Sequence, residues 1–327
     1  MKVTLAALAA VSLVLVGATA PVVAQGPDNY PTKPVRILVG FPPGQATDII
    51  ARAVAQKLGD MWGQQVIVDN RPGAAGIIAS ELAAKATPDG YTLLMSSSGP
   101  LAINTGLYAK LPYDPVKDYE PITVTASVPL VLVVNPSLPV TSLKELVALA
   151  KSKPGQLNYA SGGSGVTNHL AMELFKSAAG LEINHIPYKG STPALTDLIA
   201  GQVPFMFETG LATIPLIKAG KLRAIAVSSA RRTVALPEVP TVAESGYRGF
   251  EAVAWVAFVA PAGIPAPVLS RLSADTLKIL RMPDVRERFL GLGAEPVGNT
   301  PAEFRTYLRA EIAKWGKAVK DSGARVD

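Results

Sequence analysis

Val35-Arg36-Ile37-Leu38-Val39 runs directly into Gly40-Phe41-Pro42-Pro43-Gly44. The first five residues read as a short apolar strand and the next five as a tight loop. Ile49, Ile50, Ala53, Val54 and Leu58 then recur at helical spacing, and Gly59 is the expected stop. Val66-Ile67-Val68 reads as a second strand and Ile77 to Lys85 as a second helix. Pro88-Asp89-Gly90 is a turn, and Tyr91 to Met95 is a third strand. Strands and helices in strict alternation are the signature of a parallel sheet with helices on its faces.

The middle of the chain repeats the theme. Ser142-x-x-Glu145 predicts a capping box opening a helix from Leu143 to Lys151, which Pro154-Gly155 closes. Strands are expected at Leu157 to Ala160, Ile183 to Ile186, Val203 to Phe207, Leu222 to Val227 and Val253 to Ala260. Helices are expected from Thr167 to Ala178, from a Thr192-Pro193 start to Gly201, near Pro267 to Leu280 and over Pro301 to Lys320. Ile122 to Val134 is β-rich for thirteen residues with Pro129 inside it, whereas strands typically run about 5–6 residues. A crossing between two lobes near Ala126, with a return near Ser228, accounts for that length. One large sheet with a bulge at Pro129 accounts for it too.

The 327-residue chain is 49% hydrophobic and 17% charged, which excludes disordered and fibrous classes. It has 28 Gly, 28 Pro, no Cys and 2 His. Disulfides, thiol catalysis, cysteine-held metals and multi-histidine centres are thereby excluded, and neither a metal nor a cofactor is expected. Lys2 followed by the apolar run Val3 to Val16 fits a signal peptide, with Val22-Val23-Ala24 before the cut and Gln25 as the new start. Pro21 and Gly26-Pro27 stop any longer helix. Export to the periplasm follows as the expectation. Without Lys2, 30 basic residues face 25 acidic ones, and the scattered charge predicts no nucleic-acid footprint.

Enzyme motifs are scarce, and no catalytic residue is expected. Gly162-Gly163-Ser164-Gly165-Val166 approaches a nucleophile elbow but carries its second Gly one position early. His169 falls on the helix that follows, badly placed to activate Ser164, and His185 falls in a strand, where a structural role is expected. No P-loop appears, and Gly291-Leu292-Gly293 lacks the rest of a dinucleotide fingerprint.

Two loops suit an anion. Phe41 to Asp48 joins a strand to a helix N-terminus, where backbone N–H groups and the dipole favour a carboxylate. Gly44 permits close backbone approach, and Thr47 or Asp48 is positioned to cap the helix. A capping Asp48 would compete with a ligand carboxylate for the same N–H groups, and a simple strand–helix turn with its cap explains the loop equally well. Ser161-Gly162-Gly163-Ser164-Gly165-Val166-Thr167 again follows a strand and opens a helix, with no Lys for a polyphosphate. Ser96-Ser97-Ser98-Gly99, Tyr188-Lys189-Gly190 and Glu208-Thr209-Gly210 are placed to line the same cleft. Lys189 has either a second carboxylate or plain solvation as its partner.

These residues resemble the receptor family of tripartite tricarboxylate transporters, the Bug family of extracytoplasmic solute receptors. The resemblance runs through Tyr30-Pro-Thr-Lys-Pro-Val-Arg36, Phe41-Pro-Pro-Gly44 with Thr47-Asp48, Val68-Asp-Asn-Arg-Pro-Gly73 and Pro88-Asp-Gly-Tyr-Thr-Leu93. It continues through Leu111-Pro-Tyr-Asp-Pro115, Leu157-Asn-Tyr-Ala-Ser161, Tyr188-Lys-Gly190 and Ala219-Gly-Lys-Leu-Arg223. It ends with Leu236-Pro-Glu-Val-Pro-Thr-Val-Ala-Glu244 and Ala260-Pro-Ala-Gly263.

The resemblance implies an α/β, two-lobed periplasmic binding protein fold of the type II kind. Each lobe would be a mainly parallel sheet flanked by helices, with the ligand cleft between lobes. The expected division is 1–24 signal peptide, 25–125 and 229–327 one lobe, and 126–228 the other. It implies a small organic carboxylate ligand, the membrane permease subunits of a tripartite transporter as partner, and a monomeric receptor. The expected ligand-binding residues are Phe41, Gly44, Gln45, Ala46, Thr47, Asp48, Ser97, Ser98, Ser161, Gly163, Ser164, Thr167, Tyr188, Lys189 and Glu208. Gln45 stands where the family commonly has Gly, and Glu208-Thr209 where it often has Asp-Asn. The competing functions are a secreted serine hydrolase using Ser164 and His169, and a ligand-sensing receptor for a membrane signalling protein.

Overall fold

The computed structural model describes residues 29–324 and 326. The segment 1–24, expected to be a signal peptide, lies outside the described residues. Strand β1 (Val35–Val39) leads to helix α1 (Ala46–Trp62), β2 (Val66–Asn70), α2 (Ile77–Ala84) and β3 (Thr92–Ser97). β1 pairs in parallel with both β2 and β3, as the alternation requires. A turn of π-helix at Gly99–Ile103 and the short α3 (Asn104–Leu107) follow, neither of which the periodicity announces. Helix α1 runs past Gly59 to Gly63, which has φ 63° and donates its N–H to the Gly59 carbonyl at 3.0 Å. Gly59 is instead a packing site, since a Cβ there would sit 3.3 Å from the Gln64 carbonyl oxygen.

The long apolar run divides at Pro129. Before it, β4 (Tyr119–Val128) belongs to a six-stranded sheet; after it, β5 (Leu130–Val134) belongs to a three-stranded one. A bulged single sheet is therefore not formed. The chain continues through α4 (Leu143–Ser152), β6 (Asn158–Ser161), α5 (Thr167–Ala179), β7 (Asn184–Pro187), α6 (Ser191–Ile199), β8 (Phe205–Thr209), α7 (Gly210–Lys218) and β9 (Arg223–Val227). It returns to the six-stranded sheet as β10 (Ala254–Pro261) and ends with α8 (Ala266–Leu280), α9 (Pro283–Gly291), β11 (Glu295–Pro296) and α10 (Pro301–Ser322). The six-stranded order is β11-β4-β10-β3-β1-β2, the three-stranded order is β8-β5-β9, and β6 and β7 form a parallel pair.

Neither larger sheet is mainly parallel: the six-stranded one is mixed and the three-stranded one is antiparallel throughout. β10 runs antiparallel to β3 and β4, and β5 runs antiparallel to β8 and β9. Helical crossovers generate the parallel pairs. The strands that connect the two sheets arrive without a crossover helix and pair antiparallel.

The two sheets share one seam. Leu130 N–H donates to Ser228 Oγ at 2.9 Å, Ser228 N–H donates to the Leu130 carbonyl at 2.8 Å, and Ala252 N–H donates to the Ser228 carbonyl at 3.0 Å. Outgoing and returning segments are thus tied through one fully buried serine. Along β5, Leu130, Leu132 and Val134 join the larger apolar core while Val131 and Val133 join a smaller one with Met206, Ile214 and Leu198. That is the two-residue alternation of a strand buried on both faces.

Two helix starts differ from expectation. At α4, Ser142 Oγ accepts from Glu145 N–H, but Glu145 reaches back to Thr141 rather than Ser142. Helix α6 begins at Ser191 after Gly190, placing Pro193 at the third helical position, where its missing N–H costs nothing.

Candidate functional site

Four helix N-termini open onto one cleft of about 350 Å³. Gln45, Ala46 and Thr47 bring in α1; Val166, Thr167 and Asn168 bring in α5; Gly190 and Ser191 bring in α6; Glu208 and Thr209 bring in α7. None of the four has a side-chain N-cap hydrogen bond. Apart from Gly210, whose N–H goes to the Pro129 carbonyl at 3.2 Å, and Pro193, which has none, their first-turn N–H groups keep donors for a ligand, and each helix adds the positive end of its dipole. By contrast, α4 and α10, which lie elsewhere, are capped by Ser142 and Thr300.

The walls are apolar. Phe41 contributes from the β1–α1 loop, Val128 and Leu130 from either side of the Pro129 crossing, and Trp255 and Val256 from β10. Ser97, the last residue of β3, and Ser98 just after it close the cleft. Of the expected residues, Phe41, Gln45, Ala46, Thr47, Ser97, Ser98, Thr167 and Glu208 line the cleft.

The others support it or stand apart. Gly44 donates its N–H to Asp48 Oδ2 at 2.9 Å. Neither Thr47 nor Asp48 is the cap of α1; Gln45 holds that position with its side chain unengaged. Asp48, 2% exposed, is filled by Gly44, by Arg52 and by Asn70. Burial alone would raise its carboxyl pKa, but hydrogen bonds from Arg52, Gly44 and Asn70 outweigh that and hold it below the ordinary value. Because Asp48 takes an N–H from before the helix, the expected competition with a ligand does not arise. Asn70 also donates to the Phe41 carbonyl at 2.9 Å and so fixes the loop.

In the second loop, Ser161 is buried and braces the turn. Its Oγ lies 2.9 Å from the Gly163 carbonyl, 3.1 Å from the Gly163 nitrogen and 2.5 Å from His185 Nε2. Ser164 is exposed and does not line the cleft. His169 accepts the Gly165 N–H on Nδ1 at 3.0 Å and stacks on His185, so its ring supports the loop rather than serving Ser164. Tyr188 turns its hydroxyl to Asp197 at 2.8 Å, and Lys189 is exposed outside the cleft. Asn168 is the main residue the sequence reading missed. It accepts from Gly162 N–H at 3.3 Å and donates to Glu208 at 2.8 Å. Its only sequence signal is a polar residue in the first turn after a glycine-rich loop.

A roomier groove of about 620 Å³ lies among Ile214, Lys218, Arg281, Arg286 and Glu287, away from these helix ends. Among the described residues, no cluster of three His, Asp or Glu side chains is arranged to hold a metal, and no helix is long and apolar enough to cross a membrane.

Helix N-termini gathered on a cleft beside a strand crossing define a two-lobed solute-binding protein, and solved structures agree. R. palustris Rpa4515 with adipate superposes with a TM-score of 0.82 at 38% identity, covering 91% of this chain and 100% of that one. MatC from Rhodopseudomonas palustris with bound malate gives 0.76 at 31% identity, covering 89% and 100%. Periplasmic binding protein BugD gives 0.77 at 34% identity, covering 91% and 100%. Residues 50–324 match the Tripartite tricarboxylate transporter family receptor, and the chain belongs to that family. Protein BugT of Bordetella pertussis is 41% identical over 323 residues, covering 98% of each chain.

Proposed function

We propose that the protein is exported through a cleaved signal peptide to the periplasm. There it captures a small organic carboxylate and hands it to the permease subunits of a tripartite transporter. The observation that carries this reading is the convergence of four uncapped helix N-termini on one apolar-walled cleft. Such a site solvates a carboxylate with neutral N–H donors and hydroxyls. Relatives bound to adipate and malate support the ligand class. Capture works by closure of one lobe, residues 25–125 with 229–327, on the other, residues 126–228, about the seam at Leu130 and Ser228. The receptor acts as a monomer and has no role for nucleic acid. It performs no catalysis.

Within the site, Thr167 and the α5 amides hold the carboxylate, while Thr47, Ser97 and Ser98 complete the shell. Phe41, Gln45 and Ala46 shape its rim. Ser161 and Gly163 hold the loop in position, and Gly44 and Asp48 do the same for the α1 loop.

Thermal unfolding of the mature chain from Gln25 against a wide panel of carboxylates tests this. A ligand at about a thousand times its dissociation constant adds roughly 4 kcal/mol of stability. A shift confined to one chemical class is expected. No shift with any carboxylate, for protein shown by mass spectrometry to be empty, would overturn the reading.

A further inference from the structure

The charges in the cleft are the reverse of those a polyanion needs. Among the described residues, no Lys or Arg lines it, and its one ionisable side chain is the acid Glu208. Glu208 is 3% exposed. Its Oε1 accepts the N–H and the hydroxyl of Thr209 at 2.8 and 3.1 Å, and its Oε2 accepts from Asn168 at 2.8 Å. Thr209 is the N-cap residue of α7. The protein has therefore placed its own carboxylate at that helix end, where a second ligand carboxylate would otherwise find positive potential.

Open hydrogen-bonding capacity remains around this acid. Glu208 Oε2 has a further lone pair, and the Asn168 amide nitrogen has a second hydrogen. Ser98 lines the same cleft, is 1% exposed, and has no partner for its Oγ among the described residues. A buried hydroxyl without a partner calls for a polar ligand atom beside it.

We infer that the cleft selects a monocarboxylate carrying an amine, and discriminates against di- and tricarboxylates. The inference rests on the carboxylate-receptor reading and narrows it. The ligand carboxylate takes the uncapped amides of α5, and the amine donates to Glu208. Two opposite charges then meet two complementary seats. A dicarboxylate would bring a second negative charge into a desolvated space that already holds Glu208 and no cation, and repulsion there is only weakly screened.

Titration calorimetry of the mature chain at pH 7.5 tests the inference. Succinate, glutarate and adipate are each compared with the ω-amino and the 2-amino monocarboxylate of the same carbon number. In at least one set the amino acid is expected to bind tenfold or more tightly than the dicarboxylate. Glu208→Gln, shown to be folded by its thermal transition, is expected to erase that preference by weakening the amino acid and strengthening the dicarboxylate. The wild-type comparison decides the matter even if the variant does not fold. A dicarboxylate binding wild type as tightly as its amino counterparts overturns the inference and leaves the receptor reading standing. Binding by none of these acids also overturns it; the receptor reading falls only if the wider panel gives no thermal shift either.

Discussion

The indole N–H of Trp255 donates to Glu311 Oε2 at 2.7 Å, and the indole of Trp315 donates to the same oxygen at 2.8 Å. Trp255 is part of the cleft wall, while Glu311 and Trp315 lie on α10. One oxygen of a carboxylate 4% exposed thus fastens the cleft wall to the C-terminal helix, with Lys314 2.5 Å from its other oxygen.

Glu311→Ala leaves two buried indole donors without an acceptor. The expected cost is about 3–5 kcal/mol, by analogy with breaking one side of a buried polar network. Glu311→Gln keeps a carbonyl oxygen for both indoles and loses the charge with its Lys314 ion pair, so about 1–2 kcal/mol is expected. Urea unfolding of the two variants measures the difference; equal losses would show that the shared oxygen contributes little.

Ser228 joins the outgoing and returning strands. Ser228→Ala removes the acceptor for Leu130 N–H and strands that buried group. A loss of about 1–3 kcal/mol is expected. If the seam also guides closure, ligand affinity shifts by more than the stability change transmits to a rigid site, and calorimetry beside the unfolding curve separates the two effects.

Gly165 has φ +77°, and a Cβ there would lie 2.3 Å from Leu107 Cδ2. Its N–H is the one that His169 accepts. Gly165→Ala therefore combines backbone strain with a clash against α3, and a loss of roughly 2–4 kcal/mol is expected. The ligand-induced thermal shift is expected to shrink in the same variant, because the α5 loop moves. An unchanged shift would separate that loop from binding.

His169 and His185 stack with ring centroids 3.9 Å apart. Burial lowers both to about 4; the Lys176 charge adds to this for His169, and the charge of His169 and then that of Lys176 for His185, against an opposing effect of Glu173. The neutral imidazoles are thus favoured in the folded state. Their stabilisation is complete above the ordinary histidine value and is lost as pH falls from about 6.5 to about 4, where the unfolded chain binds more protons. For His169, 4% exposed, the loss is on the order of 2–3 kcal/mol. The melting temperature is expected to drop through that window, and His169→Phe is expected to flatten part of the drop. A wild-type melting temperature constant from pH 7 to pH 4 would contradict it.

Local physics made much of this protein legible from its residues alone. Apolar periodicity located β1, α1 and α2, because each buries one face or stripe against its neighbours, and also β2, a half-buried edge strand. The excess length of Ile122 to Val134 announced a change of sheet, because no ordinary strand is so long. Glycine-containing loops before α1 and α5 were legible as strand-to-helix turns, because their free N–H groups are a local property of the chain; both reach the cleft.

What the tertiary structure alone decided is which distant groups meet. Whether β10 runs parallel or antiparallel depends on how the chain re-enters the sheet, not on the residues of β10. Asp48 became a brace because Gly44, Arg52 and Asn70 converge on it; Ser164 faced solvent because Ser161 holds the turn through Gly163 and His185. Asn168 ties its own loop, through Gly162, to Glu208 forty positions along the chain. A hydrogen bond forms between whatever side chains packing brings within about 3 Å, and that proximity between remote segments is not encoded in the spacing of either one.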